Sequence, residues 1–150
     1  MFNIYVTGYT EGIVDGGTLK GSRDVLVAKY NTSAVLQWAR QLGDSYSEGK
    51  AIVTDDSFNV YVVGFTNGDF DGNQNLGGSD IIIVKYNSDG VKQWSKQYGT
   101  SFNDYGTGIT IDSNNNIYIT GHTIGGLYVN VTSGNYDVFV IKLNGDGIIQ

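Results

Sequence analysis

The run from Asn59 to Tyr98 decides the fold. It reads NVYVVGFT (59–66), then a polar loop, DIIIVKYN (80–87), a short SDG turn (88–90) and VKQWSKQY (91–98). The first two strand-like blocks are apolar at nearly every position, and strands of that kind need cover on both faces. The last block mixes polar and apolar residues and carries Lys92 and Lys96. That suits an outer edge strand, where charge discourages pairing with other chains. Between the second and third blocks, Asn87-Ser88-Asp89-Gly90 is a hairpin signal.

Working outward, the same run recurs. NVYVVGFT at Asn59 is NIYVTGYT at Asn3 and NIYITGHT at Asn116, spacings of 56 and 57 residues. DIIIVKYN at Asp80 is DVLVAKYN at Asp24 and DVFVIKLN at Asp137. VKQWSKQYG at Val91 is VLQWARQLG at Val35, and a third copy begins at Ile148. A fourth block, GKAIVTD at Gly49, returns as GTGITID at Gly106. It is short and rich in small residues, which suits a crowded innermost strand. Four strand blocks per period and no helical periodicity are the pattern of a β-propeller blade.

The expectation is an all-β chain: a β-propeller segment of four-stranded antiparallel blades, not quite three of them. The single unit 1–150 divides into repeats at about 3–58, 59–115 and a truncated 116–150. Strands are expected near 3–9, 25–31, 35–42, 50–55, 59–65, 81–87, 91–98, 107–112, 116–122 and 138–143. The recurring Lys29, Lys85 and Lys142 sit in apolar blocks, so each ammonium should reach a blade edge, a backbone carbonyl or a carboxylate. Asp55 and Asp112 are the expected carboxylates. The two tryptophans are expected to pack blade against blade.

Composition narrows function. Twenty-two glycines, no proline and 11 tyrosines fit many turns and strands. A net charge of −6 argues against nucleic acid and anionic lipid as partners. No apolar run is long enough to cross a bilayer. The absence of cysteine removes disulfides and thiolate metal sites. The first ten residues read as strand and not as a signal peptide.

The blocks NVYVVGFT, GGSDIIIVKYNSDG, VKQWSKQYG and DYGTGITIDSNNN, in that order, resemble the bacterial beta-propeller repeat known as SBBP. The resemblance covers essentially the whole chain. It implies a propeller fold in large secreted or cell-surface bacterial proteins, and no shared enzyme activity or catalytic residues. YNSDGVKQW is also similar to the docking repeat of quinone-dependent dehydrogenase propellers, but the period here is longer and the cofactor-site cysteines are absent.

No residue is read as catalytic. In the loop 67–75, Asp69, Asp71, Asn73 and Asn75 place oxygen ligands at alternate positions, as calcium loops do. The glycine is not where an EF-hand needs it, no bidentate glutamate follows, and the other copies have Ile13 and Gly126 at the Asp69 position and Tyr128 at the Asp71 position. A blade-connecting loop using turn residues is the preferred reading, with calcium the alternative and no other cofactor expected. His122, the lone histidine, stands where Tyr9 and Phe65 stand, so it is read as an aromatic substitute. Asp24, Asp80 and Asp137 recur in every copy and are read as structural. Asn31-Thr32-Ser33 and Asn130-Val131-Thr132 match the glycosylation sequon without further support.

The functional expectation is a non-enzymatic scaffold or protein-interaction module, extracellular or at the cell surface. The alternative is a carbohydrate-binding propeller. Expected partners are other copies or the rest of a longer propeller chain, and a protein or glycan ligand. A fragment of a longer chain is preferred to a ring of copies, because a ring would leave an inner and an outer strand missing at each junction.

Overall fold

The computed structural model describes residues 3–14, 16–127 and 135–150. Tyr128 and the sequon at Asn130 lie outside the described residues. Ten strands follow in order: β1 (Asn3–Thr10), β2 (Asp24–Asn31), β3 (Leu36–Leu42), β4 (Ser47–Thr54), β5 (Val60–Thr66), β6 (Asp80–Tyr86), β7 (Lys92–Tyr98), β8 (Asp104–Ile111), β9 (Ile117–Thr123) and β10 (Asp137–Leu143). The described residues contain no helix. The strands form three antiparallel sheets, ordered β1-β2-β3, β4-β5-β6-β7 and β8-β9-β10. These are an open row of propeller blades, here called blades 1, 2 and 3. Among the described residues, only blade 2 has all four strands. A single bridge from Leu143 to Ile149 starts the outer strand of blade 3.

All ten expected strands are present, but β4 and β8 begin three residues earlier than expected. The cause is a bulge in each. Pairing passes from Gly49–Gly64 to Ala51–Val63, leaving Lys50 over, and from Gly106–Gly121 to Gly108–Thr120, leaving Thr107 over. An extra residue breaks the alternation by which a strand is recognised, so the part before the bulge reads as loop. Its pairing is firm nonetheless: Ser47 Oγ donates to Thr66 Oγ1 at 3.0 Å, and Thr123 Oγ1 donates to Asp104 Oδ1.

The two faces of blade 2 supply both cores. Tyr61, Val63, Ile81 and Ile83 pack against Ile117, Ile119, Phe139, Ile141 and Leu143 of blade 3. Val60, Val62, Ile82 and Val84 pack against Val25, Val27 and Trp38 of blade 1. Each buried aliphatic side chain contributes roughly 1.5–3 kcal/mol from removal of apolar surface from water. Of the recurring aspartates, Asp24 accepts from the backbone of Lys20 and Gly21 and from Gln41 Nε2, and Asp80 from the backbone of Leu76 and from Gln97 Nε2. Both tie a loop to an outer strand, a structural role.

The turn 87–90, read from the sequence as a hairpin signal, is gripped by the preceding blade. Lys29 and Trp38 are cross-strand partners in blade 1. Lys29 Nζ and Trp38 Nε1 both donate to the Ser88 carbonyl, at 2.8 and 3.2 Å, and Arg40 Nε donates to the Gly90 carbonyl at 2.7 Å. Blade 2 grips blade 3 in the same way. Lys85 Nζ donates to the Gly145 carbonyl at 3.4 Å, and Tyr98 Oη to the Gly147 carbonyl. Two of the three lysines thus meet backbone carbonyls, while the third, Lys142, is exposed beside the Tyr118 ring. The expected carboxylates are not the partners. Asp55 and Asp112 are occupied within their own turns by Asn59 and Asn116, and by the Tyr61 and Tyr118 hydroxyls.

Gly90 meets this grip with φ of 74° and no room for a side chain: a Cβ there would lie 2.7 Å from Trp38 Cδ2. Ala34 holds the same turn position in blade 1 with φ of 57°, exposed to solvent. Gly90→Ala should therefore destabilise the chain by about 1–3 kcal/mol. Ala34→Gly should stabilise it by up to about 1 kcal/mol by relieving the left-handed conformation. Denaturant midpoints read both signs; a destabilising Ala34→Gly would refute this account of the turn.

Candidate functional site

The inner strands β4 and β8 begin at one end of the blades, where β5 and β9 finish. Pairing there sets Glu48 opposite Phe65 and Tyr105 opposite His122. Tyr46 directly precedes β4, Arg23 precedes β2 and Tyr136 precedes β10. These short-range placements bring seven side chains from three blades into one continuous seam. The Arg23 guanidinium carbon lies 4.1 Å from the Tyr9 ring centroid and 4.9 Å from that of Tyr46. Tyr46 then meets Phe65 at 6.1 Å, and Phe65 meets Tyr105 at 4.8 Å, edge to face. Tyr105 meets His122 at 4.9 Å, and His122 meets Tyr136 at 5.3 Å. His122 thus takes its place as an aromatic in the series. The ends of the seam are open, with Tyr9 45% and Tyr136 56% exposed.

The blade 1 end also carries an ion network. Arg23 donates through Nη1 to Glu48 Oε1 at 2.7 Å and to Tyr46 Oη at 2.6 Å, and through Nε to Glu11 Oε1 at 2.8 Å. Glu48 also accepts from the Tyr46 hydroxyl at 2.7 Å and from Lys50 Nζ. Burial alone would raise the Glu48 carboxyl, but the bonds from Lys50, Tyr46 and Arg23 outweigh it and hold it down to about 2. A guanidinium between two aromatic rings is attracted by the ring quadrupoles.

Sequence reading singled out His122 alone of these seven. The signal for the others was present in the repeat. Arg23, Ser79 and Tyr136 occupy one repeat position, and Glu48 and Tyr105 another. These positions change character from blade to blade, whereas core positions such as Ile4, Val60 and Ile117, or Val6, Val62 and Ile119, stay aliphatic. Where the blades differ, the contacts differ too: Ser79, in place of Arg23, makes a hydroxyl–hydroxyl bond to Tyr105 at 3.1 Å.

The loop residues Asp69, Asp71, Asn73 and Asn75 lie together after β5, each in a contact that shapes the loop. Asp69 Oδ1 accepts from the Asn75 backbone at 2.8 Å. Asp71 accepts from Lys92 Nζ and, at 2.6 Å, from Ser95 Oγ, which ties the loop to β7. Asn73 Nδ2 donates to the Phe70 carbonyl at 2.9 Å, and Asn75 Oδ1 accepts from the Gly77 backbone at 2.9 Å. Among the described residues, no three His, Cys, Asp or Glu side chains gather in a group that could hold a metal. Among the described residues there is also no helix long and apolar enough to cross a membrane.

A family model for the SBBP beta-propeller repeat matches residues 37–71 and 93–128. Each match runs from an outer strand through the next inner and second strands. Among curated proteins, the chain is 27% identical over 114 residues to an uncharacterized WD repeat-containing protein, L264, of Acanthamoeba polyphaga mimivirus, covering 61% of this chain and 8% of that protein. It is 27% identical over 154 residues to the regulatory protein FlaEY of Caulobacter vibrioides, covering 95% of this chain and 16% of that protein. The chain therefore spans a small part of the length of both relatives.

The ion network sets a pH dependence. The Glu48 carboxyl is lower in the folded chain than its ordinary 4.5, so the unfolded chain takes up the proton first on acidification. Its stabilisation is complete above pH 4.5 and is lost as the pH falls toward 2. Asp112, held down to about 2 chiefly by the Asn116 amide, acts in the same direction. Asp80 acts in the opposite one, since burial and then Asp104 raise it. The expected outcome is that Glu48→Gln loses less stability than the parent between pH 5 and pH 2.5, read from urea midpoints. Parallel losses would show that Glu48 is not held by this network.

Proposed function

Since the chain carries beta-propeller repeats of the SBBP type, we propose that it works as a non-enzymatic scaffold that binds a protein partner across the seam from Tyr9 to Tyr136. The observation that carries this reading is the contrast between constant core and variable seam. Aliphatic positions repeat from blade to blade because every blade must pack in the same way. At the seam the position of Arg23, Ser79 and Tyr136 and that of Glu48 and Tyr105 change, around a position that stays aromatic as Tyr9, Phe65 and His122, as recognition of one asymmetric ligand requires. Aromatic and arginine side chains are also the residues that anchor protein interfaces. By family resemblance the scaffold belongs to a secreted or cell-surface protein.

The exposed, flat rings of Tyr9 and Tyr136 favour a second reading, stacking on sugar rings of a glycan. The outward faces of blades 1 and 3 are proposed as contacts to further blades, from other copies or a longer chain. Val138 is 82% exposed on blade 3, and Ile4 and Val6 are exposed on blade 1, at positions whose counterparts in blade 2 are buried.

Peptides selected from a displayed library on the immobilised chain, mapped by amide chemical shifts, test the first reading. Expected binders shift the seam residues and weaken about tenfold or more on Tyr9→Ala or Tyr136→Ala. Binders that all map elsewhere would defeat it. A glycan array signal abolished by the same substitutions would select the second reading.

A further inference from the structure

Two asparagines of the chain are followed by glycine, Asn67 and Asn144. A glycine leaves its own backbone nitrogen open to close approach, here by the side-chain amide of the residue before it. The structure sets the two sites apart. Asn144 opens the turn 144–147, and its Oδ1 accepts from the backbone N–H groups of Asp146 and Ile148, at 3.0 and 2.9 Å. Two donors fixed on one carbonyl oxygen polarise the amide carbon. They also stabilise the charge that grows on that oxygen when the carbon is attacked, as an oxyanion hole does. The nucleophile at hand is the Gly145 nitrogen, whose N–H makes no hydrogen bond among the described residues. A Cβ on Gly145 would come no nearer than 3.7 Å to anything beyond its chain neighbours, so the approach is clear. Asn67 is held differently. Its Oδ1 accepts from the Ser79 hydroxyl at 2.8 Å, and the Gly68 N–H is directed at Thr66 Oγ1, 3.4 Å away. Ser45 also crowds Gly68, 2.8 Å from where a Cβ would stand. Asn31 and Asn87 have the same pair of backbone donors as Asn144, but Thr32 and Ser88 follow them. Among the described residues, the doubly bonded carbonyl and the unhindered neighbour coincide at Asn144 alone.

We propose that Asn144 is a site of spontaneous deamidation that loosens the junction of blades 2 and 3 as the protein ages. The Gly145 nitrogen gives up its proton to water or hydroxide and bonds to Asn144 Cγ. The bond from Cγ to Nδ2 then breaks and ammonia leaves. Water opens the resulting cyclic imide at one carbonyl or the other, which leaves aspartate or isoaspartate at position 144. Water is the only co-reactant. Isoaspartate routes the main chain through the former side chain and lengthens it by one carbon atom. The lengthening falls inside the turn whose Gly145 and Gly147 carbonyls accept from Lys85 Nζ and Tyr98 Oη of blade 2. Those carbonyls are displaced from their donors, and the grip on blade 3 weakens. Either product also adds a negative charge next to Asp146, in a chain whose net charge is already −6. The inference does not rest on the seam or on its proposed partner.

The test is incubation of the purified, folded chain at mildly alkaline pH, with samples taken over time for peptide mapping by mass spectrometry. Asn144 is expected to convert about tenfold or more faster than Asn67, Asn31 or Asn87. Gly145→Ser reproduces the turn of blade 2, where Ser88 offers its carbonyl to Lys29, so it should fold as the parent does and suppress the reaction. Aged parent should unfold at a lower urea concentration than fresh parent, in proportion to its isoaspartate content, while aged Gly145→Ser keeps its midpoint. Conversion of Asn144 no faster than that of Asn67, or undiminished in Gly145→Ser, overturns the assignment of the site. A fully converted chain with an unchanged midpoint overturns its effect on the junction.

Discussion

Strands β5 and β6 are buried on both faces, and no other constraint on this chain is as demanding. A sheet apolar on one side can rest on a single layer, but one apolar on both sides needs two. Blade 2 meets that need by standing between blades 1 and 3. The cost of the arrangement is passed outward, because each flanking blade then presents an outer apolar face of its own. The row of blades is a series in which every member satisfies its neighbour and repeats its neighbour's problem.

Apolar faces alone would let blades slide, since burial of area has no direction. The grip on the hairpin turn supplies the direction. Trp38 and Lys29 share the Ser88 carbonyl, and the ring lies against a glycine that leaves it space. Both donors are fixed to one acceptor at the lower end of the interface, so blade-to-blade registry is set by a few hydrogen bonds. Lysine is suited to this work. Its stem runs along apolar surface and its ammonium finds a carbonyl at the rim.

The seam at the other end is built from the same backbone positions in each blade but from different chemistry. Arginine between two tyrosine rings at one blade junction gives way to phenylalanine against tyrosine at the next. The scaffold tolerates this because those positions lie at strand ends and not within the doubly covered middle. Variation there leaves the core intact, which is how a repeat architecture separates stability from recognition.

The sequence by itself determined the strand count, the repeat, the order of inner and outer strands and the double burial of the middle strands. All of these follow from periodicity and local composition, which are properties of neighbours along the chain. His122 was legible as an aromatic for the same reason, by its register with Tyr9 and Phe65. Only the tertiary structure decided which carbonyls take Lys29 and Lys85, because Ser88 and Gly145 are 59 and 60 residues away and local reading favoured Asp55 and Asp112. It alone joined Arg23, Tyr46, Phe65 and Tyr105 into one seam. Such contacts depend on the angle and distance between blades, and no residue's immediate neighbours in the chain carry that information.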